Sequence, residues 1–269
     1  MEYVLTEINI YPVKSLGGIR LKEAEVTDRG LKYDRRWMIV DANGKFLTQR
    51  VLPQMSLINV GVDNNSLRFE HKLKAISKYS VPLEIYNNEQ NEVVVFDDTV
   101  NAVYVSKEVD QWLSEALESK CRLVHMPDDS KRKVDTKYAV NNQIVSFADA
   151  FPFLVIGQSS LDDLNSRLEE KVPMNRFRPN FVFSGGKPFD EDRMKSFKLN
   201  DVTFFPVKPC ARCVVTTVNQ ETGTKGKKPL ATLASYRTQD NKVMFGQNLL
   251  HEGSGIIKTG SILEAIEWK

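Results

Sequence analysis

The chain has 269 residues, of which 41% are hydrophobic and 27% charged, and its formal net charge is +2. These values are ordinary for a soluble globular protein of one large or two modest domains and give no global indication of nucleic-acid binding, although a local basic pocket is compatible with them. The sequence lacks an apolar run long enough for a transmembrane helix, and its three cysteines are too few for a disulfide framework, so we expect a cytoplasmic protein.

Strand patterns dominate the first hundred residues. Short apolar runs predict the strands, and the Asp-Ala-Asn-Gly sequence of residues 41–44 predicts a hairpin turn. A helix follows them, because apolar residues from Val109 to Leu117 recur at helical spacing and Ser106 can cap the start. The predicted strands of this half are residues 3–5, 8–10, 37–40 and 93–96.

The second half returns to strands after a polar segment. Residues 126–142 are charged and predict a surface loop near a domain boundary. A second helix is predicted from about residue 160 to residue 170, with Ser160 and Asp163 as a capping box. Because no βαβ rhythm repeats, the order of elements favours an antiparallel or mixed barrel over a doubly wound sheet. Further strands are predicted at residues 181–183, 202–207, 214–218 and 262–266.

The sharpest local signal is the pair Cys210 and Cys213, which forms a Cys-x-x-Cys motif. A structural zinc site would need four ligands, and no second pair of this spacing exists in the sequence. A thioredoxin-like redox pair normally opens a helix after a strand, whereas the β-branched residues 214–218 predict a strand directly after Cys213. Both interpretations therefore fit poorly.

A single thiolate ligand to a soft metal centre fits the motif better. Lys208 and Arg212 flank the cysteines, and neighbouring cations favour the thiolate form that binds such metals. Two ordinary buried cysteines are the alternative on composition alone. The choice between these two interpretations depends on the rest of the chain.

Further segments carry cations beside predicted strands. In residues 176–180, Pro179 keeps Arg178 out of the helical region, so that Arg178 and Asn180 can face an anionic ligand rich in heteroatoms. The alternative is a surface turn whose arginines are solvated. Residues 11–15 and 34–37 add side chains that could hold a phosphate, although such residues are usually just solvated: Lys14, Ser15, Arg35 and Arg36.

Taken together, six motifs resemble the MOSC superfamily, which is named for the C-terminal domain of molybdenum-cofactor sulfurase. The similarity covers essentially the whole chain and points to the branch with an N-terminal β-barrel domain ahead of the MOSC domain. That branch holds the mitochondrial amidoxime-reducing components and bacterial relatives that reduce N-hydroxylated compounds. The motifs occur in the expected order: YPVKS, DRRW, FADAFPFLV, RFRPN, SGGKPFDEDR and KPCARCVVTTV.

The resemblance implies a mononuclear molybdenum held by the dithiolene of one pterin and by one protein cysteine, which corresponds to Cys213. Cys210 occupies a position of variable role and is not assigned to the metal. Asp149 corresponds to a polar position near the metal, so Cys213 and Asp149 are the implied catalytic residues. At the level of the superfamily, pyridoxal phosphate binding is also implied. The implied cofactor-binding residues are Lys14, Ser15 and Arg35, for the pterin phosphate, and Arg178, Asn180, Arg212 and Cys213.

The implied fold is mainly β with some α, in two β-barrel-like lobes. Residues 1–105 would form the MOSC N-terminal domain and residues 106–269 the MOSC domain, with the cofactor in a cleft between them. The sequence departs from the family pattern at a few positions, none of which removes the metal ligand. Hydroxyl side chains of the eukaryotic members are replaced by Ala150, Phe151 and Ala211, and an aspartate by Asn219.

The implied activity is molybdenum-dependent reduction of small N-hydroxylated substrates, in which two electrons and two protons release the oxygen as water. The sequence has no cysteine quartet for a ferredoxin cluster and no evident haem or flavin motif, so a separate ferredoxin-like or flavin-containing protein would supply the electrons. Residues 131–133, Lys-Arg-Lys, are either a docking patch for that protein or a solvated loop. The alternative function is a carrier that binds and delivers molybdenum cofactor, or sulfur, without turnover.

Overall fold

The computed structural model describes residues 2–63, 65–85, 89–139 and 141–269. Strands make up most of the regular structure in these ranges, which confirms the prediction of a mainly β fold with some α. The first part contains β1 (Val4–Ile10), β2 (Ile19–Leu21), β3 (Glu23–Thr27), β4 (Gly30–Leu31), β5 (Trp37–Val40), β6 (Ile58–Asp63), β7 (Ser66–His71), β8 (Tyr79–Pro82), β9 (Gln90–Val95), β10 (Asp98–Tyr104), α1 (Lys107–Leu117) and β11 (Arg122–His125).

The second part contains β12 (Arg132–Lys133), β13 (Ile144–Val145), β14 (Phe153–Gly157), α2 (Gln158–Ser166), β15 (Phe181–Ser184), α3 (Asp190–Arg193), β16 (Met194–Leu199), β17 (Val202–Arg212), α4 (Leu230–Ala234), β18 (Thr238–Gln239), β19 (Lys242–Glu252), β20 (Gly255–Lys258) and β21 (Glu264–Trp268). Short 3-10 helices span Pro53–Leu57, Met174–Arg176 and Val214–Thr217. None of the helices in the described ranges is both long and apolar enough to cross a membrane.

A mixed sheet of nine strands, counted over the described residues, forms the centre of the molecule. Its order is β2-β1-β15-β14-β19-β17-β16-β21, with β18 added beside β19. β1 runs antiparallel to β15, with Ile8 opposite Phe181, whereas β14 and β15 are parallel. The chain just after β1 therefore lies beside the chain just before β15, although the two segments are far apart in sequence.

Aromatic side chains fill the main core against this sheet. The ring of Phe204 on β17 lies 5.3 Å from that of Phe153, 5.2 Å from that of Phe181 and 5.4 Å from that of Phe197, measured between centroids. The contacts with Phe153 and Phe181 are edge-to-face, an arrangement in which aromatic pairs attract beyond their buried area. Phe204 is completely buried, and its ring contacts link β17 to β14, β15 and β16.

A second core lies under α1 and two smaller sheets, β5-β11-β10-β9 and β6-β7-β8. The helix begins as predicted at Ser106, whose hydroxyl accepts a hydrogen bond from the Val109 amide (3.3 Å). Its Trp112 packs with Phe69 at 5.9 Å between ring centroids. β11 pairs with β5, and α1 packs in the same core as strands from earlier in the chain, although both elements follow residue 105. The domain division at residue 105 therefore stays a prediction.

The predicted strand at residues 214–218 is wrong, because the residues after Cys213 form a 3-10 helix. Thr216 and Thr217 donate their hydroxyls to the carbonyls three residues earlier (2.9 and 2.8 Å), which closes a tight turn that the β-branched composition does not reveal. The strand lies before the motif instead, since β17 continues through Arg212.

Two other local predictions are also wrong. Ser160 is not the cap of α2, which begins after Gly157; its hydroxyl donates to the buried Glu191 carboxylate (2.8 Å). Of residues 131–133, Arg132 is not solvated, because it is buried in the β12–β13 hairpin and pairs with Asp98 (2.7 Å), whereas Lys131 and Lys133 are exposed. The middle cation of the proposed docking patch is therefore not available to a partner.

We expect Phe204→Ala to lower the free energy of unfolding by about 3–5 kcal/mol, because it leaves a cavity among three aromatic rings. Urea unfolding measures the change. Leu73→Ala is the matched control, since Leu73 is 66% exposed, and it should change stability by no more than about 0.5 kcal/mol. Similar losses in both variants would contradict the packing described.

Candidate functional site

A cleft that is partly open to solvent collects candidate residues of the sequence analysis. It is lined from the N-terminal half by the segments after β1 and before β5, and from the C-terminal half by the chain before β15 and the end of β17. The structure brings together eight of the predicted site residues, whose roles stay predictions: Lys14, Ser15, Arg35, Asp149, Arg178, Asn180, Arg212 and Cys213. Arg36 lies outside this cleft, where its Nη2 pairs with the Asp128 carboxylate (2.7 Å).

The charges on the cleft wall are strongly unbalanced. Five cationic side chains line the cleft and one carboxylate, that of Asp149, faces them, as far as the described residues go. Such an excess of positive charge in a partly enclosed space attracts anions, since the field is less screened there than at an open surface. The five cations are Lys14, Arg35, Arg50, Arg178 and Arg212.

Lys14 is the most deeply buried of these cations, with 4% of its side chain exposed. Its Nζ donates to Asp149 Oδ1 (2.6 Å) and to the Phe147 carbonyl (2.7 Å), and it lies 4.9 Å from the ring centroid of Phe96. Burial lowers the pKa of Lys14 to about 8, against the opposing effect of Asp149. The position of Asp149 inside the cleft works to raise the pKa of this carboxyl, although most of the side chain is open to solvent. Lys14 and then Arg35 outweigh that effect and hold the pKa well below its usual range.

Arg35 is anchored on both sides of the cleft. Its Nη1 donates to Asp34 Oδ2 (2.6 Å) and to Asn180 Oδ1 (3.1 Å), and its Nη2 donates to the Arg178 carbonyl (3.2 Å). The Asp34 carboxylate is itself fixed, since Oδ1 accepts the Tyr11 amide (2.8 Å). The guanidinium therefore presents a fixed positive charge to the cleft rather than a mobile one.

Arg178 and Arg35 enclose one aromatic ring. The guanidinium carbons lie 4.1 Å and 4.3 Å from the centroid of Tyr11, so both cations stack on this buried side chain. Burial lowers the pKa of Arg178 to about 10. Its Nη1 donates to the Leu16 carbonyl (2.7 Å), whereas its buried Nη2 has no partner in the structure. An unsatisfied buried donor on the wall of a cleft indicates a place for an acceptor.

The backbone is strained where it meets the cleft. Ser15, Arg35 and Arg178 have φ angles of 68°, 49° and 55°, which lie in the left-handed region that costs non-glycine residues about 1–2 kcal/mol each. For Arg178 this conformation, and not the extended one expected before Pro179, keeps the residue out of the right-handed helical region. Strain of this kind persists where surrounding contacts fix it, and it is common in binding sites.

Cys213 and Cys210 both line the cleft, in different surroundings. Cys213 is half-buried at the start of the 3-10 helix, where its carbonyl accepts the Thr216 amide and hydroxyl (3.1 and 2.9 Å). Cys210 lies on β17, and its Sγ accepts a hydrogen bond from Arg212 Nη1 (2.9 Å). Extended chain between the two cysteines separates their Cα atoms by about 10 Å. A disulfide needs at most about 7 Å, so this backbone does not suit a redox pair.

Several residues of the site escaped the sequence analysis. Arg50 and Thr48 line the cleft without belonging to any recognised motif. Gln49, between them, is buried and exchanges amide hydrogen bonds with Gln220 (3.2 and 3.0 Å), which ties this loop to the chain after Cys213. Arg132 donates to the carbonyls of residues 146, 148 and 149 and so shapes the loop that carries Asp149. Charge could have marked Arg50 and Arg132 in the sequence, whereas Thr48 and Gln49 carry no such signal.

Comparison with known proteins agrees with this arrangement. Residues 2–120 match the family described as MOSC N-terminal beta barrel domain, and residues 142–264 match the MOSC domain. The chain is 34% identical to mitochondrial amidoxime-reducing component 1 of Mus musculus, over 95% of this chain and 80% of that protein. It is 33% identical to component 2 of Rattus norvegicus, over 95% of this chain and 81% of that protein.

A second group of relatives is longer. The chain is 33% identical to the molybdenum cofactor sulfurase of Oryza sativa, over 92% of this chain but only 32% of that protein. The name of this second group connects the MOSC domain with the molybdenum cofactor. Both domains, in this order and over nearly the whole length, show that the chain belongs to the MOSC family whose members carry an N-terminal β-barrel domain ahead of the MOSC domain.

Proposed function

We propose that this protein binds the molybdenum cofactor in the cleft, with Cys213 as the thiolate ligand, and reduces N-hydroxylated compounds. The observation that carries the proposal is the convergence of two half-buried thiols, Cys210 and Cys213, and five cations on a single cleft. The amidoxime-reducing names of relatives that match nearly the whole chain support the reaction type.

The donors of the cleft fit an anionic cofactor. Lys14, Ser15 and Arg35 would hold the pterin phosphate, because they supply two cations and a hydroxyl on one side of the cleft. The unpartnered Nη2 of Arg178 offers a further donor, and an acceptor placed there would remove a penalty of about 1–3 kcal/mol. The side-chain oxygen of Asn180 is less available to the cofactor, since it already accepts hydrogen bonds from Arg35 and from the Leu154 amide. It would act by positioning Arg35.

When bound, the cofactor would supply a metal that exchanges an oxygen atom and two electrons with the substrate. The protein side chains would bind and orient the substrate. Asp149 is held ionised by Lys14, so near neutral pH it can accept a hydrogen bond from the N–H of a substrate rather than donate a proton. Phe151 and Phe177 give the cleft an apolar wall for the remainder of the substrate. The overall reaction consumes two electrons and two protons and yields the reduced nitrogen compound and water.

A second function is a carrier that binds the cofactor, or sulfur, and delivers it without turnover. The similarity to molybdenum cofactor sulfurases favours it only weakly, because the chain matches about a third of such a protein. Turnover separates the two functions, since a carrier binds the cofactor but does not oxidise a reductant.

We expect protein loaded with molybdenum cofactor to reduce an amidoxime when reduced viologen supplies electrons, and to be inactive with a nicotinamide donor alone. Consumption of reduced viologen measures the reaction, with protein made without cofactor as the control. Lack of turnover by fully loaded protein would support the carrier function. Turnover with the nicotinamide and no second protein would contradict the need for a separate donor.

Cys213→Ser should lose bound molybdenum or its activity, because a hydroxyl is a harder and weaker donor than a thiolate. Cys210→Ser is the matched control and should keep both, since its sulfur is already engaged by Arg212. Metal analysis and turnover measure the two effects. The reverse pattern would show that the ligand is Cys210.

Phosphate binding should weaken as the pH rises through 8. The pKa of Lys14 in the free protein is about 8, so the ammonium that would hold the phosphate is mostly present at pH 7 and mostly absent at pH 9. We expect the affinity for inorganic phosphate to fall about tenfold over this range. Titration of Lys14→Met, which should bind weakly and show only the pH dependence of the phosphate's own ionisation, is the control. A wild-type pH dependence no different from that of Lys14→Met would exclude Lys14 as the anchor.

A further inference from the structure

We propose that the mouth of the cleft is the docking surface for a small acidic protein that delivers single electrons. We call this surface the cleft rim and define it by Arg50, Val51, Val214, Lys225 and Lys227. The proposal rests on the proposed reductase function, because only a reductase needs an electron donor. It differs from the interpretation of residues 131–133 as the docking patch, which loses its middle cation through the burial of Arg132.

Two loops meet at the rim. Arg50 lines the cleft and is followed by Val51, while Val214 directly follows Cys213. Lys225 Nζ donates to the Arg50 carbonyl, which joins the loop from the N-terminal half to the loop after Cys213. The same two loops are held together by the Gln49–Gln220 pair described above. Arg50, Val51 and Lys225 therefore belong to one connected surface, and Val214 directly follows the candidate metal ligand. Lys227 joins this surface by sequence, two residues after Lys225 on the same loop.

The rim combines exposed apolar side chains with cations. Val51 is 71% exposed and Val214 47%, and both are among the few large apolar side chains of the described chain that lie open to solvent. A single exposed apolar residue needs no explanation, but two beside the opening of one cleft are typical of the centre of a protein interface. Charged residues around such a centre then select the partner.

The cations of the rim keep their charge available. Arg50, Lys225 and Lys227 form no ion pair with any residue in the described ranges. The β12–β13 hairpin differs, because Lys131 and Lys133 share their groove with four carboxylates, those of Glu92, Asp97, Asp98 and Asp129. An acidic partner is therefore attracted to the rim and not to the hairpin.

The position of the cleft rim also suits the transfer of single electrons to the candidate metal site. Each turnover would take two electrons from the donor, one at a time, while the substrate takes two protons from solvent and releases water. A donor seated on Val214 would lie one residue from Cys213, so its redox centre would approach the candidate metal site without crossing the core. The donor is oxidised at each step and must be reduced again by its own reductase.

The test compares two charge reversals of equal size. Lys225→Glu/Lys227→Glu changes the rim, and Lys131→Glu/Lys133→Glu changes the hairpin; none of the four residues lines the cleft. The donor is a plant-type [2Fe–2S] ferredoxin kept reduced by its reductase and NADPH. We expect the rim variant to raise the KM for ferredoxin about tenfold and to lose most of its dependence on salt, because rim charges steer encounter. The hairpin variant should behave as wild type.

Two further readouts separate this proposal from the proposed function. Turnover with reduced viologen, which needs no docking, should be equal in wild type and both variants. Binding of ferredoxin to the loaded protein at low salt, measured by calorimetry, tests docking even where turnover is absent. An unchanged KM and unchanged binding in the rim variant, or a larger loss in the hairpin variant, would overturn the proposal. Wild-type protein that is active with viologen but neither binds nor accepts electrons from ferredoxin would overturn it as well.

Discussion

The site depends on the hydrogen bonds of one buried asparagine. The Asn180 amide donates to the Leu154 carbonyl, its carbonyl accepts the Asn9 amide, and its side-chain nitrogen donates to the Asn9 carbonyl, so the residue ties β1 and β14 at the start of β15. The side-chain oxygen accepts hydrogen bonds from Arg35 Nη1 and from the Leu154 amide. Because segments from both halves of the sequence converge on these atoms, loss of the amide would release the cation and the strands together.

The strained backbone and the cations of the cleft are held in place by the same surrounding contacts. Three left-handed residues and five cations in one place would destabilise a free loop, yet here each is held by contacts outside the cleft. The Asp34 carboxylate fixes Arg35, and the Tyr11 ring lies between two guanidinium groups. The aromatic core beneath the sheet supplies the rigidity that lets these features persist.

The sequence predicted the composition of the site well and some local geometry poorly. The site residues could be named because six motifs in a fixed order resemble the MOSC superfamily, whereas each cation or thiol alone is a weak signal. Helix α1 could be predicted because its spacing and its cap agree. The turn after Cys213 could not, since the strand propensity of valine and threonine hides hydroxyl bonds that form only in the folded chain. Arg132 appeared to be an ordinary loop cation, because its acceptors are backbone carbonyls that no sequence pattern marks.

Lys14 already has a counter-ion in the Asp149 carboxylate, whose side chain is 76% exposed. An arriving phosphate would compete with that carboxylate for the same ammonium, so filling the cleft is an exchange of one anion for another rather than capture by a bare charge. Asp149 regains full hydration when it is displaced, whereas an unpaired Lys14 would stay desolvated, and the exchange therefore never leaves the buried ammonium alone. The protein can in this way fold before its ligand arrives and keep its most deeply buried cation for an anion that binds it more tightly than Asp149 does.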